Sequence, residues 1–241
     1  MIYSFLQNGD CAVTVQFKNE ISKEVNACVT SLSDIISKKK IKGVVELVPA
    51  FNCLTVFYDP CVISSKRLIK TLSGIIKSIK TGDSRPATLY KIPVCYDDKF
   101  ALDMDSVCAH TGLDRKQVID IHTSCDYLIY MLGFLPGFAY LGGMDSRIVT
   151  PRLEEPRLEI FEGAVGIGGE QTGIYPVASP GGWRLIGKTP VRVYDKDKEN
   201  PILYKAGDYI RFYEIDYAEY QRIEDLVKSG DYQVEAEEVV L

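Results

Sequence analysis

Gly166-Ile-Gly-Gly-Glu-Gln-Thr-Gly-Ile-Tyr-Pro176, followed closely by Ser179-Pro-Gly-Gly-Trp-Arg-Leu-Ile-Gly-Lys-Thr-Pro190, sets short apolar runs between glycines and prolines. Runs of that length suit strands joined by tight turns, not helices. The pattern spreads outward over residues 127–212, which hold most of the chain's 19 glycines and seven of its 11 prolines. It predicts a barrel in preference to an open α/β sheet. Ahead of this region the spacing predicts a strand over 88–95 and helices over 104–110 and 115–123. Behind it Tyr217, Tyr220, Ile223, Leu226 and Val227 recur at helical spacing over 216–229, with Asp216 as the cap.

The first third of the chain reads differently. Strands are predicted over 2–6 and 11–17 around the turn Asn8-Gly9-Asp10. Ile21, Val25, Cys28, Leu32, Ile35 and Ile36 then form a helical stripe that ends in Lys38-Lys39-Lys40 and Gly43. Further strands over 44–48 and 54–58 precede a second stripe, Leu68, Leu72, Ile75, Ile76 and Ile79. The order β-β-α-β-β-α predicts an α+β sandwich of ferredoxin-like character, two helices on one face of an antiparallel sheet. The breaker-rich Thr81-Gly-Asp-Ser-Arg-Pro86 places the boundary, giving domains 1–84 and 85–241.

A chain of 241 residues with 46% hydrophobic and 25% charged residues can bury a core, which argues against disorder. A net charge of -5 without a dense basic stretch argues against nucleic acid as partner. No apolar run approaches the ~20 residues that span a bilayer, and the N-terminus lacks signal-peptide features. Seven scattered cysteines without C-x-x-C spacing suit a reduced, cytoplasmic setting.

Gly182-Trp-Arg-Leu-Ile-Gly-Lys-Thr189 matches the phosphate-loop expression, but its context is wrong. Such a loop needs a helix after it, whereas Pro190 and the alternating Val191-Arg-Val-Tyr194 read as strand. Lys188 remains a candidate anion contact. Glycines beside Gln171, Tyr175, Trp183 and Arg184 mark either barrel corners or a ligand surface. His122 is a candidate acid or base, or a structural histidine; Glu170 is a loop carboxylate. No acidic or cysteine cluster supports His110 and His122 as metal ligands. Ser179 lacks the G-x-S-x-G elbow of a serine hydrolase. The charge run from Asp145 to Glu159 reads as solvated surface, and Phe134, Leu135, Phe138 and Tyr140 as core or an interaction surface.

Together with Gly133-Phe-Leu-Pro-Gly-Phe-Ala-Tyr-Leu-Gly-Gly143, Pro151-Arg152 and Pro156-Arg157, the two opening stretches resemble the signature of the 5-oxoprolinase B-subunit family, also called KipI and allophanate hydrolase subunit 1. Gly9-Asp10, Val48-Pro49, Tyr58-Asp-Pro60, Ile92-Pro-Val-Cys-Tyr96 and Gly207-Asp208 extend the likeness over nearly the whole chain. Ala139 stands where a proline is frequent, and Asp97-Asp-Lys-Phe100 replaces a more glycine-rich segment.

The resemblance implies a cyclophilin-like β-barrel after the first domain, and work with two further 5-oxoprolinase components, a homologous C subunit plus the separate A subunit. That complex would open 5-oxo-L-proline to L-glutamate with ATP and Mg, this chain being inactive alone. It offers Gln171, Tyr175 and Arg184 as groups around a developing charge, with His122 as proton carrier and Lys188 and Glu170 as substrate or nucleotide contacts. Two relatives imply other roles: inhibition of a sporulation histidine kinase through the 134–141 segment, with Phe138→Asp as its test, or the acceptor side of a urea-carboxylase-like carboxyltransferase. No methionine flanks a lysine in the manner of a biotin site, so no bound biotin is expected, nor a metal. Prolyl isomerisation would rest on fold analogy alone.

Overall fold

A computed structural model describes residues 2–20, 22–79 and 86–240. Contacts divide the chain into two compact units, Met1–Ser84 and Arg85–Leu241. Ile21 and residues 81–85 of the predicted connection lie outside the described residues.

The first unit runs β1 (Tyr3–Asn8), β2 (Ala12–Phe17), α1 (Lys23–Lys39), β3 (Val44–Pro49), β4 (Cys53–Tyr58) and α2 (Ser65–Ser78). Its antiparallel sheet has the order β1-β2-β4-β3. Alternation puts Val13, Val15 and Phe17 on one face, with Leu54, Val56 and Tyr58 beside them. Val29, Leu32 and Ile36 of α1 and Leu68, Leu72 and Ile76 of α2 complete this core. The Ser22 hydroxyl accepts from Val25 N–H at the start of α1. The helix ends on Lys40, whose left-handed φ of 46° closes it. The predicted glycine stop, Gly43, instead turns the chain into β3 at φ 95°.

The second unit begins with β5 (Pro86–Cys95), α3 (Met104–Thr111) and α4 (Arg115–Thr123). There follow β6 (Tyr127–Leu132), β7 (Ala139–Gly142), β8 (Arg157–Ile160), β9 (Ala164–Gly168), β10 (Gln171–Ile174), β11 (Ser179–Gly181) and β12 (Arg184–Lys188). The unit ends with β13 (Tyr209–Ile215), α5 (Tyr217–Ser229) and β14 (Ala236–Val240). Its large sheet runs β10-β9-β12-β5-β13-β6-β7, antiparallel except for β5 and β13, with β14 added along β5. The end strands meet: a Cβ on Gly173 of β10 would lie 3.1 Å from Ala139 O of β7. The result is a mixed, nearly closed barrel filled by Ile92, Tyr127, Ile129, Ile167, Ile186 and Phe212 among others. The two-stranded ribbon β8–β11 stands apart from that sheet.

β14 is a strand that periodicity did not reveal, because Glu237 and Glu238 lie within it. Lys91 on β5 answers that charge by pairing with Glu235 and Glu237. The Gly182–Thr189 string lies mainly in β12 and no helix follows it directly, but the strand expected over Val191–Tyr194 does not form: β12 ends at Lys188, and only Tyr194 makes an isolated bridge, to Ile202. The seven cysteines are all free. No helix among the described residues is long and apolar enough to cross a membrane.

Candidate functional site

The three glycine-rich stretches converge where the barrel nearly closes. Trp183, the chain's only tryptophan, is 4% exposed and lies over glycines of β9 and β10. A Cβ on Gly168 would stand 2.5 Å from its Cδ1, one on Gly173 3.0 Å from its Cζ3, and one on Gly166 3.4 Å from its Cβ. Gln171 pairs with Gly168, and Gly173 with Gly166. Paired residues and residues two apart share a sheet face, so all four positions belong to the face that carries the indole. At Gly166, Gly168 and Gly173 glycine is needed because any larger residue would occupy the ring's place.

The segment 133–138 supplies the facing wall through two consecutive turns. Leu135 N–H donates to Gly133 O at 2.7 Å across Phe134, whose φ is 64°. A γ-turn with a positive central φ is rare, and a bulky aromatic there is a strained choice. Pro136-Gly137 then forms a type II turn, with Phe138 N–H donating to Leu135 O at 3.0 Å and Gly137 at φ 83°. Phe138 is thereby driven inward, edge-on to Tyr140, Tyr175 and Trp183 at centroid distances of 5.2, 5.4 and 5.3 Å.

These rings line a cleft of about 290 Å³ with Phe134, Arg152 and the Pro180–Gly182 backbone. The Arg152 guanidinium stands 5.8 Å from the Trp183 ring centroid, in cation–π range. Burial pushes the Tyr175 hydroxyl above its ordinary pKa, while the Trp183 backbone and the charges of Arg152 and Arg157 pull the other way. Ser179 Oγ, in a side chain 8% exposed, is buried without a hydrogen-bond partner, as is Gln171 Nε2.

Of the residues expected from the sequence, Tyr175 lines the cleft and Gln171 lies on the face beneath its tryptophan. The others lie in different surroundings. Arg184 is engaged on Pro151 O at 3.2 Å and Ser106 Oγ at 2.8 Å. Glu170 is exposed at the β9–β10 turn. The Lys188 ammonium is ringed by Phe100, Phe161 and Tyr220 at 5.3, 5.4 and 5.6 Å.

His122 is fully buried and stacked on Phe212 at 4.7 Å. Its Nδ1 lies 2.7 Å from the Tyr96 hydroxyl and its Nε2 2.8 Å from Thr172 Oγ1. Thr172 Oγ1 donates onward to Gly166 O at 3.0 Å, so it accepts from Nε2–H, and Nδ1 accepts from Tyr96. Burial lowers the imidazole to about 3. A neutral ring with both nitrogens occupied is a structural member of the barrel core, not a proton carrier open to substrate.

The kinase-contact expectation changes too: Phe138 is 2% exposed, so Phe138→Asp would disrupt packing and could not isolate a surface contact. Phe134, at 62% exposed, is the most exposed ring of that segment, with Tyr140 half-buried. Arg152 and Trp183 were legible only as parts of motifs, without roles. Among the described residues no group of three or more His, Cys, Asp or Glu side chains could hold a metal.

This architecture defines an α+β protein with a nearly closed mixed barrel and an aromatic cleft at its seam. Residues 3–204 match the family model "Carboxyltransferase domain, subdomain C and D", and the chain belongs to that family. It is 41% identical over 229 residues to the 5-oxoprolinase B subunit of Bacillus subtilis, spanning 90% of this chain and 95% of that protein. The crystal structure of TTHA0988 is 35% identical, with a TM-score of 0.76 over 85% of this chain. The chain spans 40% of that longer protein. Urea carboxylase of Kluyveromyces lactis shares the fold over 99% of this chain, at a TM-score of 0.84 and 22% identity.

Proposed function

We propose that this chain is the B component of a heteromeric, ATP-dependent 5-oxoprolinase that opens 5-oxo-L-proline to L-glutamate in the cytoplasm together with its A and C components. The observation that carries the reading is the end-to-end correspondence with the Bacillus subtilis protein of that name. The cleft supports it, because parts of all the signature stretches, Phe134, Phe138, Tyr140, Arg152, Tyr175 and Pro180 to Trp183, line one concavity. The first unit is ferredoxin-like in its layers, though connected as two ββα halves; the second is a cyclophilin-like barrel.

ATP and Mg belong to the complex. The string in this chain that matches a phosphate loop does not fit a nucleotide, since its backbone is committed to β12 and its lysine to an aromatic ring cluster. No nucleotide step is therefore assigned to these residues. The chain's own contribution is an aromatic, cation-edged cleft that can cover one side of a small ring.

The test is glutamate formation from 5-oxo-L-proline and ATP by the assembled A and C components. Activity is expected only when this chain is present. Equal activity without it, or none from a fully assembled complex, overturns the proposal.

A further inference from the structure

Resting on that reading, we infer that the aromatic cleft of this chain, and not one of its partners, holds the cyclic substrate, taking a small lactam ring against Trp183 and Phe138 and its carboxylate on Arg152. The walls are chemically divided. Phe134, Phe138, Tyr140, Tyr175 and Trp183 offer ring faces and edges, and Arg152 supplies the positive charge at their border. About 290 Å³ is near the lower end of the size range for small-molecule sites, roughly 300–1,000 Å³. That volume fits a single small ring better than a nucleotide or a folded peptide.

Charge selects the class of ligand. Arg152 has no carboxylate partner among the described residues, although Glu154 and Glu155 follow it closely in sequence. Its neighbour Arg157 is bound to Asp103 at 2.8 Å, and Arg184 to Ser106 and Pro151. Thus of the three arginines on the signature stretches, Arg152 alone keeps its full hydrogen-bonding fork for an incoming anion. The lactam needs a further polar contact. The Tyr175 hydroxyl, on a residue that lines the cleft, can donate or accept, whereas the buried Ser179 hydroxyl lies outside the lining. An aromatic cavity with one unpaired cation and a tyrosine hydroxyl matches an apolar ring bearing one carboxylate and one amide.

Trp183 makes the test direct, because it is the chain's only tryptophan and forms the cleft wall. The full chain, alone and assembled with the A and C components, is titrated with 5-oxo-L-proline while tryptophan emission is followed. Saturable quenching is expected. 2-Pyrrolidinone, which has the ring without the carboxylate, should bind at least tenfold more weakly, and acetate should give no saturable response. Arg152→Met should weaken 5-oxo-L-proline at least tenfold while leaving the far-ultraviolet spectrum of the chain unchanged, and Tyr175→Phe should weaken it by a smaller factor.

A complex that makes glutamate yet shows no Trp183 response in either form would place the substrate on a partner and overturn this inference, leaving the proposed 5-oxoprolinase role intact. Equal binding of 2-pyrrolidinone, or unaltered affinity in Arg152→Met, overturns the carboxylate assignment. A response to a proline-containing peptide but not to 5-oxo-L-proline overturns the substrate assignment. Saturable binding in a complex whose activity is independent of this chain would keep the site and remove the 5-oxoprolinase role.

Discussion

His122 and Trp183 occupy the same unit, both almost without solvent contact, yet their surroundings obey opposite rules. Around His122 the hydrogen bonds close: Tyr96 gives to the ring, the ring to Thr172, and Thr172 to the Gly166 carbonyl. Around Trp183 they do not close, since the Ser179 hydroxyl and the Gln171 amide nitrogen are buried without partners. Nearby Phe134 holds a backbone angle that aromatic residues avoid. A fold tolerates unsatisfied groups and local strain where the rest of the structure over-determines them, and such places concentrate at binding sites. The histidine, the residue type most readily assigned to chemistry, lies in the satisfied region. The glycine-bedded tryptophan lies in the other.

The largest expected effect breaks this contrast by adding a proton. His122 titrates near 6.5 when unfolded and near 3 in the fold because burial disfavours its charge. The folded pKa is the lower one, so the unfolded state takes up the proton first as pH falls. His122's contribution is therefore fully present above about 6.5, declines between about 6.5 and 3, and is constant below that. The whole window is worth up to about 5 kcal/mol. Denaturant unfolding from pH 7.5 to 4 should show the stability difference between wild type and His122→Gln shrinking with acidity. A difference independent of pH would mean that burial does not shift the ring's pKa between the unfolded and folded states.

Next comes the bed of the tryptophan. Gly168→Ala forces a methyl group against a rigid indole held between sheet and Phe138, and overpacking of this kind costs about 1–3 kcal/mol. Trp183 emission should shift with the loss of stability. An unshifted emission maximum with unchanged unfolding midpoint would show that the indole has room to move, and the close-approach explanation of the glycine pattern would fail.

The layered first unit was legible because its cues are local: a strand over 11–17 beside a turn, and apolar steps of three and four in the helices. The barrel was legible from its turn residues, and Pro136-Gly137 formed the turn its chemistry demands. What escaped the sequence depends on long-range packing. β14 is stabilised as a strand by pairing with β5, although two of its five residues are glutamates. Arg152 and Arg184 look equivalent among the motif cations, and only the folded chain shows that one is engaged and the other is not. Nor could spacing tell that the His122 ring would meet Thr172, fifty positions away, and lie beneath Phe212.

The smallest expected effect sharpens the contrast at the cleft rim. Phe134→Ala and Phe134→Gly both delete the ring and its edge contact with Phe138, so the two variants lose the same packing. They differ only in backbone preference. At an ordinary exposed position alanine is the more stable by about 0.5–1 kcal/mol, because glycine has more freedom to lose on folding. At a φ of 64° the sign reverses, since alanine keeps the steric penalty of the left-handed region and glycine does not. Phe134→Gly should therefore be more stable than Phe134→Ala by about 1 kcal/mol in urea unfolding. The usual order, alanine above glycine, would mean that the segment relaxes to a negative φ once the ring is gone, so that the ring's own packing against Phe138 holds the turn in its strained form.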